Sequence, residues 1–193
     1  MEASSFDQNI GDWNVSQGKS FGLMFMDASA FNQPLNAWDV GQVANMEAMF
    51  YSASAFNQDL SGWTGTAATT SQTDMFSGAT AFQNMYVCDD PDDGPPSSCA
   101  VCPIGEYKDG STCKDCPTGK YNDENTGVST CKNCGMGRYN DQTARTSIDD
   151  CHDCNAGTYN DEEKQDSCKK CDAGTYQDTE QATVCKELSL IHI

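Results

Sequence analysis

Twelve cysteines lie between positions 88 and 185, and they are the residues of this chain whose type and spacing could do chemistry. Ten of them form five Cys-x-x-Cys pairs, and a single cysteine flanks the series at each end. Such pairs can bind zinc, exchange disulfides or form structural disulfides. The twelve residues are Cys88, Cys99, Cys102, Cys113, Cys116, Cys131, Cys134, Cys151, Cys154, Cys168, Cys171 and Cys185.

The cysteine count favours disulfides over zinc. Zinc ribbons combine Cys-x-x-Cys pairs into sets of four cysteines and need no lone cysteine at either end. A chain of disulfides between neighbouring pairs needs one lone cysteine at each end, which is the pattern here. A thioredoxin-type redox motif is a single pair beside a βαβ unit, and no such alternation is visible. The predicted ladder joins Cys88–Cys99, Cys102–Cys113, Cys116–Cys131, Cys134–Cys151, Cys154–Cys168 and Cys171–Cys185.

Each second cysteine of a pair opens the phrase Cys-x-x-Gly-x-Tyr, so the cysteine series is a tandem repeat. A unit this small cannot bury a core of its own and depends on covalent links, which persist in oxidising compartments. Residues 99–185 resemble the cysteine-rich repeats of ephrin-receptor-like and tumour-necrosis-factor-receptor-like extracellular regions. That resemblance implies an elongated, disulfide-rich array of small modules. We expect the glycine to adopt a positive φ and the tyrosine to lie across a disulfide.

The first half of the chain repeats with a period of about 25 residues. Within one unit, Val43, Met46, Met49 and Phe50 have the spacing of one helical face, while the segment from Leu35 to Trp38 looks extended. We therefore predict one short helix and one short strand per coil, stacked as α+β coils around a shared core. Ser16 is a candidate helix N-cap. The aromatic registers are Phe6, Phe31, Phe56 and Phe82; Trp13, Trp38 and Trp63; Phe25, Phe50 and Phe76.

The phrase A-F-N-Q-x-L-x-x-W, followed by V-x-x-M-x-x-M-F, resembles the BspA-like repeats of mycoplasma and protist surface proteins. The third copy departs from it after Trp63, and the fourth stops at Phe82. The resemblance implies a short leucine-rich-repeat-like solenoid, and thus an extracellular scaffold linked to adhesion. It offers no catalytic residues to carry over. The expected domains are a solenoid of three coils and a partial fourth at 1–86, a linker at 87–98 and cysteine-rich repeats at 99–187.

The segment 87–98 is acidic and rich in proline, which is typical of a linker. Its aspartates are also weak calcium candidates, because hard cations prefer clustered oxygen ligands. They are Asp89, Asp90, Asp92 and Asp93. A similar choice arises after the later tyrosines of the cysteine-rich repeats, where Asn-Asp or Gln-Asp follows. These residues favour turns, and repeated calcium ligation is the alternative interpretation.

The formal net charge of −18 argues against nucleic acid and anionic membrane surfaces as partners. No apolar run reaches the roughly 18–20 residues that a membrane span requires. The start of the sequence shows no export signal, so we interpret the chain as part of a larger secreted or surface protein. The final residues 188–193, LSLIHI, break the style of the repeats and are interpreted as a non-native tail.

The sequence contains no motif for a nucleophile, a phosphate loop or a zinc protease. Its histidines are His152, between two cysteines, and His192, in the suspect tail. Asn14 begins the glycosylation acceptor Asn-Val-Ser. We expect no enzyme activity and no cofactor.

Two functions remain open at this point. The first is a cell-surface or secreted recognition, adhesion or scaffold protein that binds a protein or glycan through the repeats. The second is a receptor ectodomain whose cysteine-rich repeats bind a protein ligand.

Overall fold

A computed structural model of the protein describes residues 3–63 and 71–188, and it divides the chain into two compact units. The first unit comprises Met1–Cys102 with Gly110–Thr112, and the second comprises Pro103–Asp109 with Cys113–Ile193. Of the proposed non-native tail, residues 189–193 lie outside the described residues, as does His192.

Aromatic side chains one repeat apart stack on each other through the first unit. The ring centroids of Trp38 and Trp63 lie 6.4 Å apart, and their ring planes are within 7° of parallel. The columns hold residues that are almost completely buried, so each coil supplies one layer of a shared core. We call residues 3–63 and 71–86 the repeat stack. Its other stacked pairs between neighbouring coils are Phe25–Phe50, Phe50–Phe76, Phe31–Phe56 and Phe56–Phe82.

Hydrogen bonds between coils join the backbone of the repeat stack in parallel register. Asn45 forms parallel bridges to Ser20 on one side and to Ser71 on the other. The amide of Phe25 donates to the carbonyl of Met49 at 2.9 Å, and the equivalent bond recurs one coil later. Because these amides bond across coils, they are not available for bonds within a helix.

The prediction of a helix over Val43–Phe50 is therefore wrong. Residues 47–52 form consecutive turns, as do the equivalent residues 22–27 and 73–78. The amide of Met49 donates to the carbonyl of Met46. This i to i−3 bond brings residues three positions apart onto the same side of the chain, as a helix also does. The spacing identified the buried residues correctly, since Val43, Met46, Met49 and Phe50 are all in the core.

The predicted strand at Leu35–Trp38 is also absent from the structure. Residues 36 and 37 form a turn, closed by the amide of Trp38 donating to the carbonyl of Leu35 at 3.0 Å. Ser16 lies in a turn rather than at a helix terminus, so it is not an N-cap. In the described part of the first unit, the α-helix is α1 (Thr80–Met85), which belongs to the partial fourth coil.

Side-chain amides form a second ladder along the edge of the repeat stack. The Oδ1 atom of Asn32 accepts from the amide of Asn57 and from the Nε2 atom of Gln58, at 3.1 and 2.7 Å. Asp7 takes the same role one coil earlier, accepting from the amide of Asn32 and from Gln33. These contacts satisfy backbone groups at the junction of successive coils.

Residues 88–99, which we call the end loop, close one end of the repeat stack rather than forming a free linker. Cys88 follows Trp63 by 25 residues, and the disulfide Cys88–Cys99 lies in the same buried cluster as the aromatic columns. The carbonyl of Asp92 accepts from the amide of Phe76 at 2.7 Å, as a further coil would do. A 3₁₀ helix at Pro96–Ser98 completes the end loop.

The second unit is built from very short antiparallel strand pairs, one pair per cysteine-rich repeat. Strand β1 pairs with β2, β3 with β4, β5 with β6, β7 with β8, and β9 with β10. A 3₁₀ helix at Ile148–Asp150 interrupts the series. The strands are β1 (Glu106–Asp109), β2 (Thr112–Asp115), β3 (Lys120–Tyr121), β4 (Lys132–Asn133), β5 (Arg138–Tyr139), β6 (His152–Asp153), β7 (Thr158–Tyr159), β8 (Lys169–Lys170), β9 (Thr175–Tyr176) and β10 (Lys186–Glu187).

The disulfides follow the order of the predicted ladder, and in the second unit each of them closes one repeat. The bonds present include Cys88–Cys99 in the first unit and four in the second, and no cysteine is free. Cys102 and Cys113 are disulfide-bonded as well. The four bonds of the second unit are Cys116–Cys131, Cys134–Cys151, Cys154–Cys168 and Cys171–Cys185.

The glycine of each Cys-x-x-Gly-x-Tyr phrase has a positive φ, as predicted. At Gly119 the φ is +73°, and an added Cβ would lie 2.2 Å from the carbonyl oxygen of Lys164. A side chain at this position would therefore collide with the next repeat but one, because Gly119 belongs to the repeat closed by Cys116–Cys131 and Lys164 to the repeat closed by Cys154–Cys168. Tyr121 forms a small buried cluster with Cys134 and Cys151, so this tyrosine does lie against a disulfide.

Candidate functional site

The cysteines offer no reactive thiol, because all twelve are disulfide-bonded. In the described ranges, 3–63 and 71–188, no group of three or more histidine, cysteine or acidic side chains is arranged to hold a metal ion. Over the same ranges, no helix is both long and apolar enough to cross a membrane. The geometry of the described residues therefore directs attention to surfaces.

The acidic residues of the end loop hold its backbone in place. The Oδ1 atom of Asp90 accepts hydrogen bonds from the amides of Asp92 and Asp93, and these bonds lower the pKa of Asp90. Asp93 in turn accepts from the amide of Asp74 at 2.7 Å, which ties the loop to the repeat stack. Asp89, Asp90, Asp92 and Asp93 thus do not converge as a calcium site.

In the Asn-Asp and Gln-Asp pairs of the second unit, the amide side chain stabilises a turn, and in three of the pairs the aspartate forms an ion pair. Asn122 and Asn140 are buried, and each accepts from the amide two residues ahead through its Oδ1 atom. Asn140 also donates to the carbonyl of Lys120 in the preceding repeat. The turn interpretation of these asparagines is confirmed.

The aspartates that follow bind lysines instead of clustering together. Asp123 contacts Lys132 at 2.6 Å, and the hydrogen bond from that lysine lowers the pKa of the carboxylate. Two later repeats have the same pair of residues at the same register. Their ion pairs are Asp161–Lys169 and Asp178–Lys186, each at 2.5 Å. A carboxylate that is already paired with an ammonium group is poorly suited to bind calcium, because the cation would have to displace the lysine.

The repeat closed by Cys134–Cys151 has a surface unlike those of its neighbours. His152 occupies the position that is lysine in the other four repeats, and the centroid of its ring lies 5.7 Å from that of Tyr139. Arg138 pairs with Asp153 at 2.9 Å across strands β5 and β6. Met136 and Ile148 are exposed, and the second of them lines a shallow depression together with Arg138 and His152. We call Met136, Arg138, Ile148 and His152 the module surface.

The outer turns of the repeat stack form a second exposed surface. Leu23 is 59% exposed, and Met26 and Tyr51 are exposed at equivalent positions of neighbouring coils. The surrounding acids are Asp27, Glu47 and Asp74. We call these six residues the turn surface.

Sequence reasoning missed this surface, because residues flanking it are buried and its apolar members look like core. The backbone decides the matter. Leu23, Ala48 and Asp74 have φ values of +62°, +50° and +57°, and these left-handed positions recur once per coil. They turn the chain so that Leu23 projects outward while Phe25 remains in the core. The residue types at these positions do not predict that turn, since a positive φ is uncommon for leucine and alanine.

The glycosylation candidate Asn14 is exposed and lies directly after Trp13 on an edge of the first coil. Its side-chain oxygen accepts from both the amide and the hydroxyl of Ser16, at 3.2 and 2.9 Å. The side chain is thus accessible and is ordered by its own acceptor triplet.

Residues 1–87 match the family described as Mycoplasma protein of unknown function, DUF285. Residues 107–151 and 146–187 each match the family described as tyrosine-protein kinase ephrin type A/B receptor-like. Each family covers less than half of the chain, so the matches characterise two regions of it. No curated protein matches the chain.

These matches confirm the two-part description obtained from the repeats. The match to the mycoplasma family covers residues 1–87, and the matches to the ephrin-receptor-like family cover residues 107–187, beginning at residue 107 rather than 99. Cysteine-rich, disulfide-bonded repeats are present as expected. The description of the second family is receptor-like, whereas that of the first names no function.

Proposed function

We propose that this chain is a non-enzymatic recognition protein of the cell surface or the extracellular space, and that it binds a protein or glycan partner through the repeat stack. In this proposal residues 1–86 form a short leucine-rich-repeat-like solenoid of the BspA type. The 25-residue stacking of aromatic side chains and the parallel bridges between coils support that assignment. The structural disulfides, which together bond all twelve cysteines, support an oxidising, extracellular location.

The observation that carries the proposal is the turn surface. Leu23, Met26 and Tyr51 are large apolar side chains that remain exposed, as do Met24 in the same turn and Trp13, whereas most aromatic and aliphatic residues of the stack are buried. Tyrosine and methionine are enriched at protein interfaces, where they add contact area that polar residues do not. Stacked repeats create extended binding surfaces, because neighbouring coils continue the same pattern.

The charge around the turn surface defines the kind of partner. Residues 1–86 contain eight acidic residues and one basic residue, a net charge of −7. Lys19, the basic residue, donates to Gln42. A basic or neutral partner is therefore favoured over an acidic one, and added salt should weaken binding to a basic partner.

A specific observation favours the receptor alternative as a second candidate. The module surface also exposes two large apolar side chains, Met136 and Ile148, and the second of them lines a depression together with Arg138. Arginine and methionine are both enriched at interfaces. In this alternative the cysteine-rich repeats bind the ligand, and the repeat stack serves as support.

One binding experiment with two variants of the full chain separates the candidates. The wild-type chain is screened against a glycan array and a panel of extracellular protein domains. The turn variant carries Leu23→Ser, Met26→Ser and Tyr51→Ser, and the module variant carries Met136→Ser and Ile148→Ser. We expect the turn variant to lose at least tenfold in affinity and the module variant to bind like wild type.

The opposite result, with binding lost only in the module variant, would replace the recognition-stack proposal with the receptor function. Circular dichroism of both variants checks that each remains folded, since all five substituted positions are exposed. Equal affinity of both variants and the wild type would exclude both surfaces.

A further inference from the structure

The acceptor triplet Asn14-Val15-Ser16 occupies a position in the coil that is exposed for structural reasons. In the next coil the equivalent residue is Asp39, which is also exposed, although its neighbours Trp38 and Val40 are 3% and 2% exposed. That second coil is covered by other coils on both sides. Exposure at this register therefore comes from the way the coil turns, and not from a position at the end of the repeat stack.

Local hydrogen bonds present the amide nitrogen of Asn14 outward. Ser16 donates both its amide and its hydroxyl to the Oδ1 atom of Asn14. The Nδ2 atom of Asn14 makes no hydrogen bond within residues 3–63 and 71–188. Asp39 repeats half of this arrangement, because its Oδ1 atom accepts from the amide of Gly41 at 3.0 Å. The second coil lacks both the asparagine and the hydroxyl, so the acceptor chemistry is confined to the first coil.

We propose that Asn14 carries an N-linked glycan, attached from a lipid-diphosphate-linked oligosaccharide. The bond that forms joins the Nδ2 atom of Asn14 to the anomeric carbon of the first sugar. The bond that breaks joins this carbon to the diphosphate oxygen, which keeps the electron pair, while the amide nitrogen releases one proton. The disulfides place the chain in the oxidising export route, where asparagine in Asn-x-Ser/Thr receives such glycans.

The glycan marks one edge of the repeat stack as solvent-facing. Residues 14 and 39 lie one residue after the tryptophan column, whereas the turn surface lies at residues 23–27, 47–51 and 74. A bulky and strongly hydrated group at Asn14 prevents close packing of another macromolecule against that edge. This modification rests on the extracellular location proposed above, but not on which surface binds a partner.

The test is to secrete the full chain, behind an added export signal, from eukaryotic cells that perform N-glycosylation. We expect mass spectrometry to find one glycan, on the peptide that contains Asn14. Treatment with peptide N-glycosidase removes it and leaves aspartate at position 14. Asn14→Gln and Ser16→Ala should each abolish the mass shift, whereas Ser16→Thr should keep it. Asn9→Gln, which alters an exposed asparagine of the same coil outside any acceptor triplet, should leave it unchanged.

A gained site tests the structural part of the argument. Asp39→Asn combined with Gly41→Ser creates the same triplet at the equivalent register of the second coil, and we expect a second glycan there. An unmodified Asn14 would overturn the proposal if the secreted protein has its disulfides formed and a glycoprotein reporter in the same cells is modified. Modification of Asn14 without modification of the second coil would overturn the claim that the register determines accessibility.

Discussion

The repeat stack and the second unit both repeat a short segment, but they are held together by different means. In the repeat stack, one continuous cluster of buried aromatic and aliphatic side chains runs through all the coils. In the second unit, the buried cluster consists of Tyr121, Cys134 and Cys151. There the repeats rely on disulfides, on buried asparagines and on backbone bonds such as that from Gly119 to Asn140.

This difference shows how repeat length determines the source of stability. A coil of 25 residues contributes several large apolar side chains per layer, and burying one such side chain stabilises the fold by about 1.5–3 kcal/mol. A cysteine-rich repeat contributes one tyrosine and a few polar residues, so burial alone cannot offset the entropy of ordering its chain. The two units should therefore respond differently to the same perturbation.

The largest difference in stability between the two units should appear when the disulfides are reduced. The four bonds of the second unit each close a loop of about 15 residues, and such a loop contributes about 3 kcal/mol. Their sum is comparable to the whole stability of a small domain, about 5–15 kcal/mol. Hydrogen exchange with mass spectrometry on the full reduced chain should show lost protection over 113–187 and retained protection over 20–63. Retained protection over 113–187 would show that the disulfides are dispensable there.

The second largest effect should come from Trp38→Ala, which removes a buried ring from the middle of the repeat stack. Such a cavity costs on the order of 3–5 kcal/mol, and stacked repeats transmit the loss to both neighbouring coils. Trp13→Ala is the matched control, because Trp13 has the same register but is 59% exposed. It should change stability by about 0.5 kcal/mol or less. If Trp38→Ala lowers the free energy of unfolding in urea by less than about 1 kcal/mol, Trp38 is not part of the core.

Much of the repeat stack could be predicted from sequence, because its registers are set by side-chain type. The aromatic columns and the amide ladder from Asn32 to Asn57 lie where the period of 25 residues put them. The backbone could not be predicted, because a spacing of three residues suits both a helix and consecutive i to i−3 turns. Nor could the turn surface, since the positive φ of Leu23 depends on hydrogen bonds between coils.

The end loop shows the limit of composition as a guide. Its prolines and aspartates are typical of a linker, yet the carbonyl of Asp92 continues the hydrogen-bond ladder of the stack. The signal that could have found this is the position of Cys88, 25 residues after Trp63. In the second unit, by contrast, cysteine spacing and the Asn-Asp turns predicted the local structure well, because covalent geometry leaves few alternatives.

The third prediction concerns the disulfide that belongs to the core-based unit. Cys88→Ser with Cys99→Ser should destabilise the end of the repeat stack by roughly 2–4 kcal/mol. The loss should be local, because the remaining coils keep their aromatic columns. Hydrogen exchange should therefore increase over 74–86 and change little over 20–50. Unchanged exchange over 74–86 would mean that the end loop does not close the stack.

A smaller effect is expected when a buried polar link between two cysteine-rich repeats is removed. Asn140→Ala deletes the bond to the carbonyl of Lys120 and leaves the amide of Gln142 without its side-chain acceptor. Loss of a buried hydrogen bond costs about 1–3 kcal/mol. Asn155→Ala, at an exposed position of the next repeat, is the control and should have little effect. Equal unfolding midpoints for the two variants would exclude a stabilising role for the buried asparagines.

The smallest effect should come from the exposed ion pairs, and its pH dependence distinguishes it from the others. Lys132 lies 2.6 Å from Asp123 and 2.5 Å from Glu124. The hydrogen bonds lower the pKa of both carboxylates and raise the pKa of the lysine. A carboxylate with a lowered pKa stabilises the fold above its unfolded pKa, near 4, and this contribution disappears as pH falls through the folded value.

A lysine with a raised pKa stabilises the fold below its unfolded pKa, near 10, and this contribution is lost as pH rises through the folded value. Lys132→Met should therefore lower the urea midpoint by a constant amount between about pH 5 and 9. The difference from wild type should shrink towards both extremes and in high salt. Lys170→Met is the control, since Lys170 makes no ion pair in the described part of the second unit. A difference that is independent of pH and salt would show that Lys132 stabilises the fold through packing of its aliphatic chain. The ion pairs with Asp123 and Glu124 would then contribute nothing measurable to stability.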